Sequence, residues 1–232
     1  MKVLIAGEFG LPNQSNVSAI PRVIQNTLDG LDSLSKKNLD LEILSLNSDI
    51  RKDMKSEYKG YIVHYIAYRR PKFLFGIIKN AKALCNKILE IKPDLVHTHD
   101  LPSSLAAIYS EVPHLLTIHG IVWKEMQFYR NISGKLRGLF YSSILKYVLL
   151  QAKNIHVINP YLSNEIRNYS KANEYQIEVP ISKSFFNNKN FQYNLLHFFK
   201  LSTYNDKSPQ KIILSSELLF DHFIFFSFNR SF

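Results

Sequence analysis

The chain has 232 residues, enough for one large domain or two small ones, and its 46% hydrophobic content excludes an intrinsically disordered protein. A single cysteine excludes a disulfide framework and a thiolate metal cluster. The formal net charge of +10 indicates either an anionic partner or simple solubility. The first apolar run is too short for a signal peptide, and no stretch approaches the roughly 18 apolar residues of a membrane span. We therefore expect a cytoplasmic protein.

The first half of the chain alternates apolar strands with amphipathic helices. The run Lys2–Ala6 predicts a strand that is buried on both faces. A polar loop over residues 7–17 leads to a helix predicted over residues 18–34, with Pro21 in its first turn. Strands are predicted over residues 39–47 and 58–68, and a helix over residues 72–91 that Pro93 ends. Cys85 falls on the apolar face of this helix, and we expect it to be a buried packing residue and not a reactive thiol.

The second half continues the same alternation. Strands over residues 94–100 and 114–120 flank a helix over residues 101–111, which is a βαβ unit. A long helix over residues 133–152, a strand over 154–159, a short helix over 161–169 and a strand over 175–180 follow. Elements of this length in this order predict an α/β fold, namely a doubly wound parallel sheet with helices on both faces.

The composition changes after this domain. All eight glycines lie at or before Gly138, and the last alanine is Ala172, whereas eleven of the sixteen phenylalanines follow residue 183. The run FDHFIFFSF near the carboxyl terminus has no clean period of 2 or 3.6. We expect a domain over residues 1–183 and an atypical tail over residues 184–232. A frameshift or a gene fragment in AT-rich DNA is our hypothesis for the tail.

Two neighbouring strands of the predicted sheet end in histidine. His99 and Asp100 follow one strand (DLVHTHD), and His119 and Gly120 follow the next (HLLTIHG). Parallel strands bring their carboxyl ends to the same edge of a sheet, and the ligand crevice of open α/β sheets lies there. His97 is in mid-strand, and we expect it to be a core residue. The His-x-His-Asp run also occurs in metallohydrolases, but Leu101 and Pro102 follow instead of a second Asp-His pair, so we expect no metal.

Two further segments are candidate binding surfaces. The loop over residues 7–17 precedes a helix start, which favours an anion, but Gly7 and Gly10 do not complete a dinucleotide fingerprint. Basic residues cluster between Arg69 and Lys92, beside Phe73 and Phe75. This cluster is either a solvated helix face or a peripheral contact with an anionic membrane. It matches no nucleic-acid-binding motif, so we expect no nucleic acid partner.

Several segments together resemble the amino-terminal, acceptor-side domain of GT-B glycosyltransferases of the family four type. They are MKVLIAGEFG, SAIPRVIQNTLDGL, KPDLVHTHDLPSSLAA, PHLLTIHG, NIHVINPYLSNEI and VPISKSFF, which lie within about residues 1 to 186. The resemblance implies a Rossmann-like domain in a transferase of glycan biosynthesis. It implies a nucleotide-sugar as co-substrate, a glycan or lipid-linked acceptor and no cofactor. It also implies that His119 contacts the donor sugar at the reaction centre, with Gly10, Ser18, Ala19, His99 and Asp100 lining the acceptor and donor sites.

The chain departs from the family pattern in two places. Ser18 and Ala19 stand where members commonly carry Gly-Gly, although Ser18 can cap the helix. The donor-binding second domain, with its Arg, Lys and Glu–seven–Glu motif, does not follow the linker-like segment VPISKSFF. The resemblance implies a retaining hexosyltransferase and half of its architecture, so we expect the isolated chain to be inactive. A non-catalytic binding module that needs a separate donor domain is the alternative, and a metal-dependent hydrolase is a third.

Overall fold

The computed structural model describes residues 1–12, 18–33, 39–68 and 75–180. They form one eight-stranded sheet with the strand order β3-β4-β2-β1-β5-β6-β7-β8. All neighbouring strands run parallel except β3, which is antiparallel to β4. The strands are β1 (Lys2–Ala6), β2 (Asp40–Asn47), β3 (Met54–Tyr58), β4 (Tyr61–Ala67), β5 (Leu95–Thr98), β6 (His114–Ile118), β7 (Asn154–Val157) and β8 (Asn173–Gln176).

Six α-helices connect the strands in the described residues. They are α1 (Ala19–Ser33), α2 (Gly76–Ile91), α3 (Leu101–Ser110), α4 (Val122–Glu125), α5 (Ile132–Gln151) and α6 (Pro160–Ile166), and a 3₁₀ turn at Met126–Phe128 joins α4 to α5. None of the helices described is long and apolar enough to pass through a bilayer.

Both faces of the sheet are covered, as the continuous apolar strands require. Successive residues of β1 point to opposite sides: Leu4 packs in a core formed with α2, α3 and α5, and Ile5 packs in a second core formed with α1. Leu4 is fully buried and Ile5 is 2% exposed. The predicted doubly wound, Rossmann-like α/β architecture is therefore confirmed.

The connection order places a topological switch point in the middle of the sheet. The chain runs outward from β1 through β2 to β4, then returns to pair β5 with the other side of β1. The connections that leave β1 and β5 diverge to opposite sides, which opens a crevice at the carboxyl ends of these two strands. The segments that begin at Gly7 and at His99 thus flank the crevice.

The strand predicted over residues 58–68 is β4, which begins at Tyr61 and forms a hairpin with the unpredicted β3. β3 and β4 are joined by Lys59 and Gly60, whose φ angles of 49° and 82° are both positive. Two consecutive residues with positive φ match the two-residue turn that suits the twist of a hairpin, and glycine takes such an angle without steric cost. The strand β3 was missed because its sequence, MKSEY, lies at the exposed sheet edge and carries no apolar alternation.

The last strand and the segment after it differ from the prediction as well. β8 ends at Gln176 and is exposed throughout, whereas the sequence predicted a strand over residues 175–180. Beyond β8 the chain crosses the sheet face that carries α1. The Ile177 carbonyl accepts a hydrogen bond from Nε2 of His156 at 2.7 Å, and the Pro180 carbonyl accepts one from the Asn26 amide at 2.9 Å. The predicted boundary between residues 183 and 184 and the predicted tail lie outside the described residues, as do Leu34, Arg69, Phe73 and the predicted start of α2 at residue 72.

Candidate functional site

The crevice is built where the backbone leaves β1 and β5. The His99 amide donates to the Ala6 carbonyl at 2.9 Å, and the Gly7 amide donates to the Leu44 carbonyl at 3.0 Å. These bonds extend the sheet by one residue and fix the position at which each side chain emerges. A Cβ atom at Gly7 would lie 3.0 Å from Cβ of His99, which is tighter than most real Cβ contacts. Glycine at position 7 therefore leaves the room that the His99 side chain occupies.

His99 and His119 lie side by side at this edge, as the two histidine-ended strands predicted. Nδ1 of His99 is 3.1 Å from Nε2 of His119, and the two rings are stacked with centroids 5.4 Å apart. His99 is 3% exposed, whereas His119 is half-buried. The pair thus consists of an enclosed imidazole and a second imidazole that reaches the crevice. Whether His119 contacts a sugar stays a prediction.

A second row of polar side chains lies beneath this pair on the same face of the sheet. Nε2 of His97 is 2.7 Å from Oγ1 of Thr117, and the same hydroxyl is 3.0 Å from Nδ1 of His156. Nε2 of His156 donates to the Ile177 carbonyl. The rings of His97 and His99 are 4.4 Å apart between centroids, which joins the two rows. Sequence reasoning placed His97 in the core correctly but missed Thr117 and His156. These two residues occupy positions on adjacent parallel strands that face the same side of the sheet as His97, and this alternation was the available signal.

Burial keeps the imidazoles of His97, His99 and His119 uncharged. It lowers the pKa of His97 and of His119 from 6.5 to about 4, with a smaller contribution from the neighbouring His156. Burial also lowers the pKa of His99 well below 6.5. Low polarity disfavours the charged form of a base, and several bases at close range disfavour it further. At neutral pH the three rings act as neutral donors and acceptors of hydrogen bonds.

Asp100 has a structural role that sequence analysis missed. Its Oδ1 accepts the backbone amide of Ser103 at 2.8 Å, so it is the N-cap of α3, with Pro102 in the first turn. Burial raises the pKa of this carboxyl, and the hydrogen bonds from Ser103 oppose the rise. One carboxylate oxygen is therefore committed to the helix. The predicted ligand-binding role of Asp100 remains untested.

The loop after β1 supplies the remaining predicted residues. The Gly10 carbonyl accepts the Tyr65 hydroxyl at 2.7 Å, and burial raises the pKa of Tyr65 to about 12. Ala19 is exposed at the first turn of α1. Oγ of Ser18 is buried without a hydrogen-bond partner, so the predicted cap of α1 by Ser18 is wrong for the described residues. Residues 13–17 lie outside the described part of the chain.

Glu125 is a residue of this edge that sequence reasoning missed. A Cβ atom at Gly120 would lie 2.6 Å from Oε1 of Glu125, so the carboxyl group rests directly over the backbone that follows His119. Burial raises the pKa of Glu125. The helix α4 that carries it has four residues, too short for a periodic signal. In the part of the chain that is described, no group of three or more His, Cys, Asp or Glu side chains is arranged to hold a metal ion.

Comparison with known proteins identifies relatives of the sequence and of the fold. The profile of Glycosyltransferase Family 4 matches residues 27–203. Sucrose-phosphate synthase from Thermosynechococcus elongatus superposes with a TM-score of 0.60 at 14% identity, over 76% of this chain and 47% of that chain. The apo form of lipopolysaccharide outer core galactosyltransferase WaaB gives a TM-score of 0.49 at 15% identity, over 78% and 46%. The alpha,alpha-trehalose 6-phosphate synthase from Burkholderia multivorans gives 0.48 at 10% identity, over 84% and 53%.

These likenesses differ in what they establish. The family profile covers most of the chain, and the superposition on sucrose-phosphate synthase shows that the two chains share a fold. The chain spans about half the length of the three structures. No curated protein sequence matches it.

Proposed function

Because the chain belongs to Glycosyltransferase Family 4, we propose that its described domain is the acceptor-side half of a sugar-transfer cleft. The donor would be a nucleotide-sugar, and the acceptor a hydroxyl group of a glycan or a lipid-linked sugar. The domain would end near residue 183, as the sequence predicts. The observation that carries the proposal is the His99–His119 pair at the crevice edge of a chain that the family profile matches.

The geometry of this edge suits an uncharged, hydroxyl-rich ligand. His119 offers a neutral imidazole, Asp100 follows the end of β5, and the carboxyl group of Glu125 lies against Gly120, which follows His119. Imidazole and carboxyl groups exchange directional hydrogen bonds with sugar hydroxyls. Transfer requires that a nucleoside diphosphate leave while a hydroxyl attacks a carbon with oxocarbenium character. The protein must therefore hold both reactants in line and stabilise the charge on the leaving group.

We assign His119 the contact with the transferred sugar and His99 its support from behind. We further propose that the reaction retains the configuration of the sugar, as the family resemblance implies. The chain by itself should transfer no sugar at a measurable rate, because its described domain supplies one wall of the cleft. Measurable transfer by the purified chain would contradict this. Co-purification with a separate donor-binding subunit would instead favour a binding module that needs a partner chain.

Ligand binding tests the site independently of turnover. The chain is labelled with ¹⁵N-histidine and titrated with nucleotide-sugars of several bases and with simple glycosides. We expect the imidazole signals of His99 and His119 to shift. The signals of His114, which begins β6 at the opposite end of the strand, should stay in place and serve as the control. The titration extends to about 10 mM of each ligand, above the usual range of KM values for enzyme substrates. If no sugar ligand shifts these signals at that concentration, the proposal is refuted.

We also propose that the domain binds peripherally to an anionic membrane surface through the start of α2 and the exposed side of α5. Phe75 is 69% exposed and meets Phe140 of α5 at 6.0 Å between ring centroids. Lys79 and Lys82 are exposed on α2, one turn apart. On α5 an exposed apolar stripe with helical spacing is formed by Ile132, Leu136, Leu139, Tyr147 and Leu150. The helix α5 contains Lys and Arg but no Asp or Glu, which suits anionic lipid headgroups.

Vesicle binding tests this surface. The chain should sediment with vesicles that contain phosphatidylglycerol and not with pure phosphatidylcholine. Replacing Lys79 and Lys82 by Glu should weaken binding by roughly tenfold or more, because each basic residue near an anionic surface contributes about 1 kcal/mol. The matched control replaces Lys52 and Lys55 by Glu. These two lysines are exposed at or near the edge strand β3, and their replacement should leave binding unchanged. Equal loss in both double variants would show that net charge alone is responsible.

A further inference from the structure

The two nitrogens of His99 have very different surroundings. Nδ1 faces Nε2 of His119 at 3.1 Å, whereas Nε2 is buried and has no hydrogen-bond partner in the described part of the chain. The His97 ring packs against one side of the His99 ring, with ring centroids 4.4 Å apart, and Cβ of His99 lies close to the backbone of Gly7. His99 therefore has a single hydrogen-bonding direction, toward His119.

Only one of the two facing nitrogens carries a hydrogen. Burial lowers the pKa of both rings, so each is neutral at pH 7 and holds one N–H group. If Nε2–H of His119 donated, the hydrogen of His99 would have to sit on its own Nε2, as a buried donor with no acceptor. If Nδ1–H of His99 donates, a bare lone pair occupies that enclosed position. A buried donor without an acceptor is the costlier defect, and the second arrangement avoids it.

We propose that His99 is a positioning residue that holds His119 in the tautomer with Nδ1–H and a bare Nε2. The hydrogen bond to Nε2 leaves the Nδ1–H of His119 as a donor. Nδ1 has no partner in the described residues, and the ring is half-buried at the crevice. His119 then presents a donor to a ligand, which selects an oxygen with a free lone pair and disfavours an ammonium group. The inference deepens the proposed function and takes its catalytic meaning from it.

The chain contains internal standards for both tautomers. Nδ1 of His114 lies 2.9 Å from the Val112 carbonyl, and Nε2 of His156 lies 2.7 Å from the Ile177 carbonyl. A carbonyl only accepts, so His114 must carry Nδ1–H and His156 must carry Nε2–H. Long-range ¹H–¹⁵N correlation spectra of the ¹⁵N-histidine-labelled full chain distinguish these two patterns directly. We expect His99 and His119 to show the His114 pattern at pH 8.

Two substitutions at position 99 separate positioning from simple packing. In His99→Asn the amide NH₂ can occupy the place of Nδ1 and donate, so His119 should keep Nδ1–H. In His99→Leu the donor is absent. The Nδ1–H form of His119 should outnumber the Nε2–H form roughly tenfold or more in the native chain, and it should make up less than half of the His119 population in this variant. Dispersion of the backbone amide signals verifies that each variant is folded.

The native chain alone decides the matter if a variant fails to fold. A His119 ring with its hydrogen on Nε2 in the native chain would overturn the proposal, and so would an unchanged tautomer in folded His99→Leu. These spectra are recorded without any ligand. Failure here is therefore distinct from failure of the proposed function, which would show as unshifted His99 and His119 signals in the sugar titration.

Discussion

Replacing His97 by Gln should make the chain more resistant to acid than the native protein. Burial lowers the pKa of His97 from 6.5 to about 4, so between these values the unfolded chain binds a proton that the folded chain does not. Stability is therefore fully present above pH 6.5 and declines as the pH falls below it. The Gln side chain cannot titrate, and its amide can still donate to Oγ1 of Thr117.

The magnitude follows from the two pKa values. At pH 5 the unfolded chain holds nearly one proton more than the folded chain at this residue. This lowers the free energy of unfolding of the native protein by about 2 kcal/mol relative to pH 8, with a slope of about 1.2 kcal/mol per pH unit. A typical domain has a free energy of unfolding of roughly 5–15 kcal/mol, so the effect is large enough to measure.

Urea unfolding at pH 8, 6.5 and 5 measures the effect, with fluorescence of the single tryptophan and circular dichroism as probes. Trp123 packs against Tyr169 at 4.9 Å between ring centroids and reports on tertiary structure. Between pH 8 and pH 5 the difference between variant and native protein should shift by about 2 kcal/mol in favour of the variant. The control is Thr117→Val, which removes the shared hydroxyl and should lower stability by about 1–3 kcal/mol at every pH. A difference between His97→Gln and native protein that does not change with pH would refute a buried, neutral imidazole at this position.

Three further predictions concern stability. Gly138→Ala should destabilise by about 1–3 kcal/mol in urea unfolding, because its Cβ would overlap Met126 and lie 2.9 Å from the Tyr129 ring. The matched Gly30→Ala should stabilise by about 0.5–1 kcal/mol, because among the described residues no side chain or distant backbone atom lies within 4 Å of the new Cβ. Equal effects of the two alanines would contradict the close packing at Gly138. Asn131→Ala should cost about 1 kcal/mol in thermal or urea unfolding, because Oδ1 caps α5 through the Gly134 amide at 2.6 Å; no loss would show that the cap is dispensable. Tyr65→Phe should also cost about 1 kcal/mol through loss of its bond to Gly10, and unchanged stability would contradict that bond.

The sequence predicted the parts of the fold that depend on local pattern. The apolar runs of β1, β5 and β6 and the breaks between them fixed the βαβ order, and that order brought His99 and His119 to one edge. Parallel strands leave little freedom at this step, because a right-handed crossover aligns their carboxyl ends.

What the sequence did not predict depends on contacts between distant residues or on very short elements. The bridge from His97 through Thr117 to His156 joins three strands across 59 positions of the chain, and no local signal encodes it. Glu125 lies in a helix of four residues. The second role of Asp100 as a helix cap was readable in principle, since Asp-Leu-Pro is a typical helix start.

The segment that follows β8 is connected to the surroundings of the site by two hydrogen bonds. The carbonyls of Ile177 and Pro180 are tied to His156 in the lower histidine row and to Asn26 on the helix that follows the first strand. Asn26 lies on α1, whose Ile24 is close to Gly7. His156 is linked through Thr117 to His97 beside His99, although β8 itself lies at the far edge of the sheet. Tension applied to the chain beyond residue 180 would therefore be transmitted first to α1 and to the imidazole row, before it reaches the strand from which the segment departs.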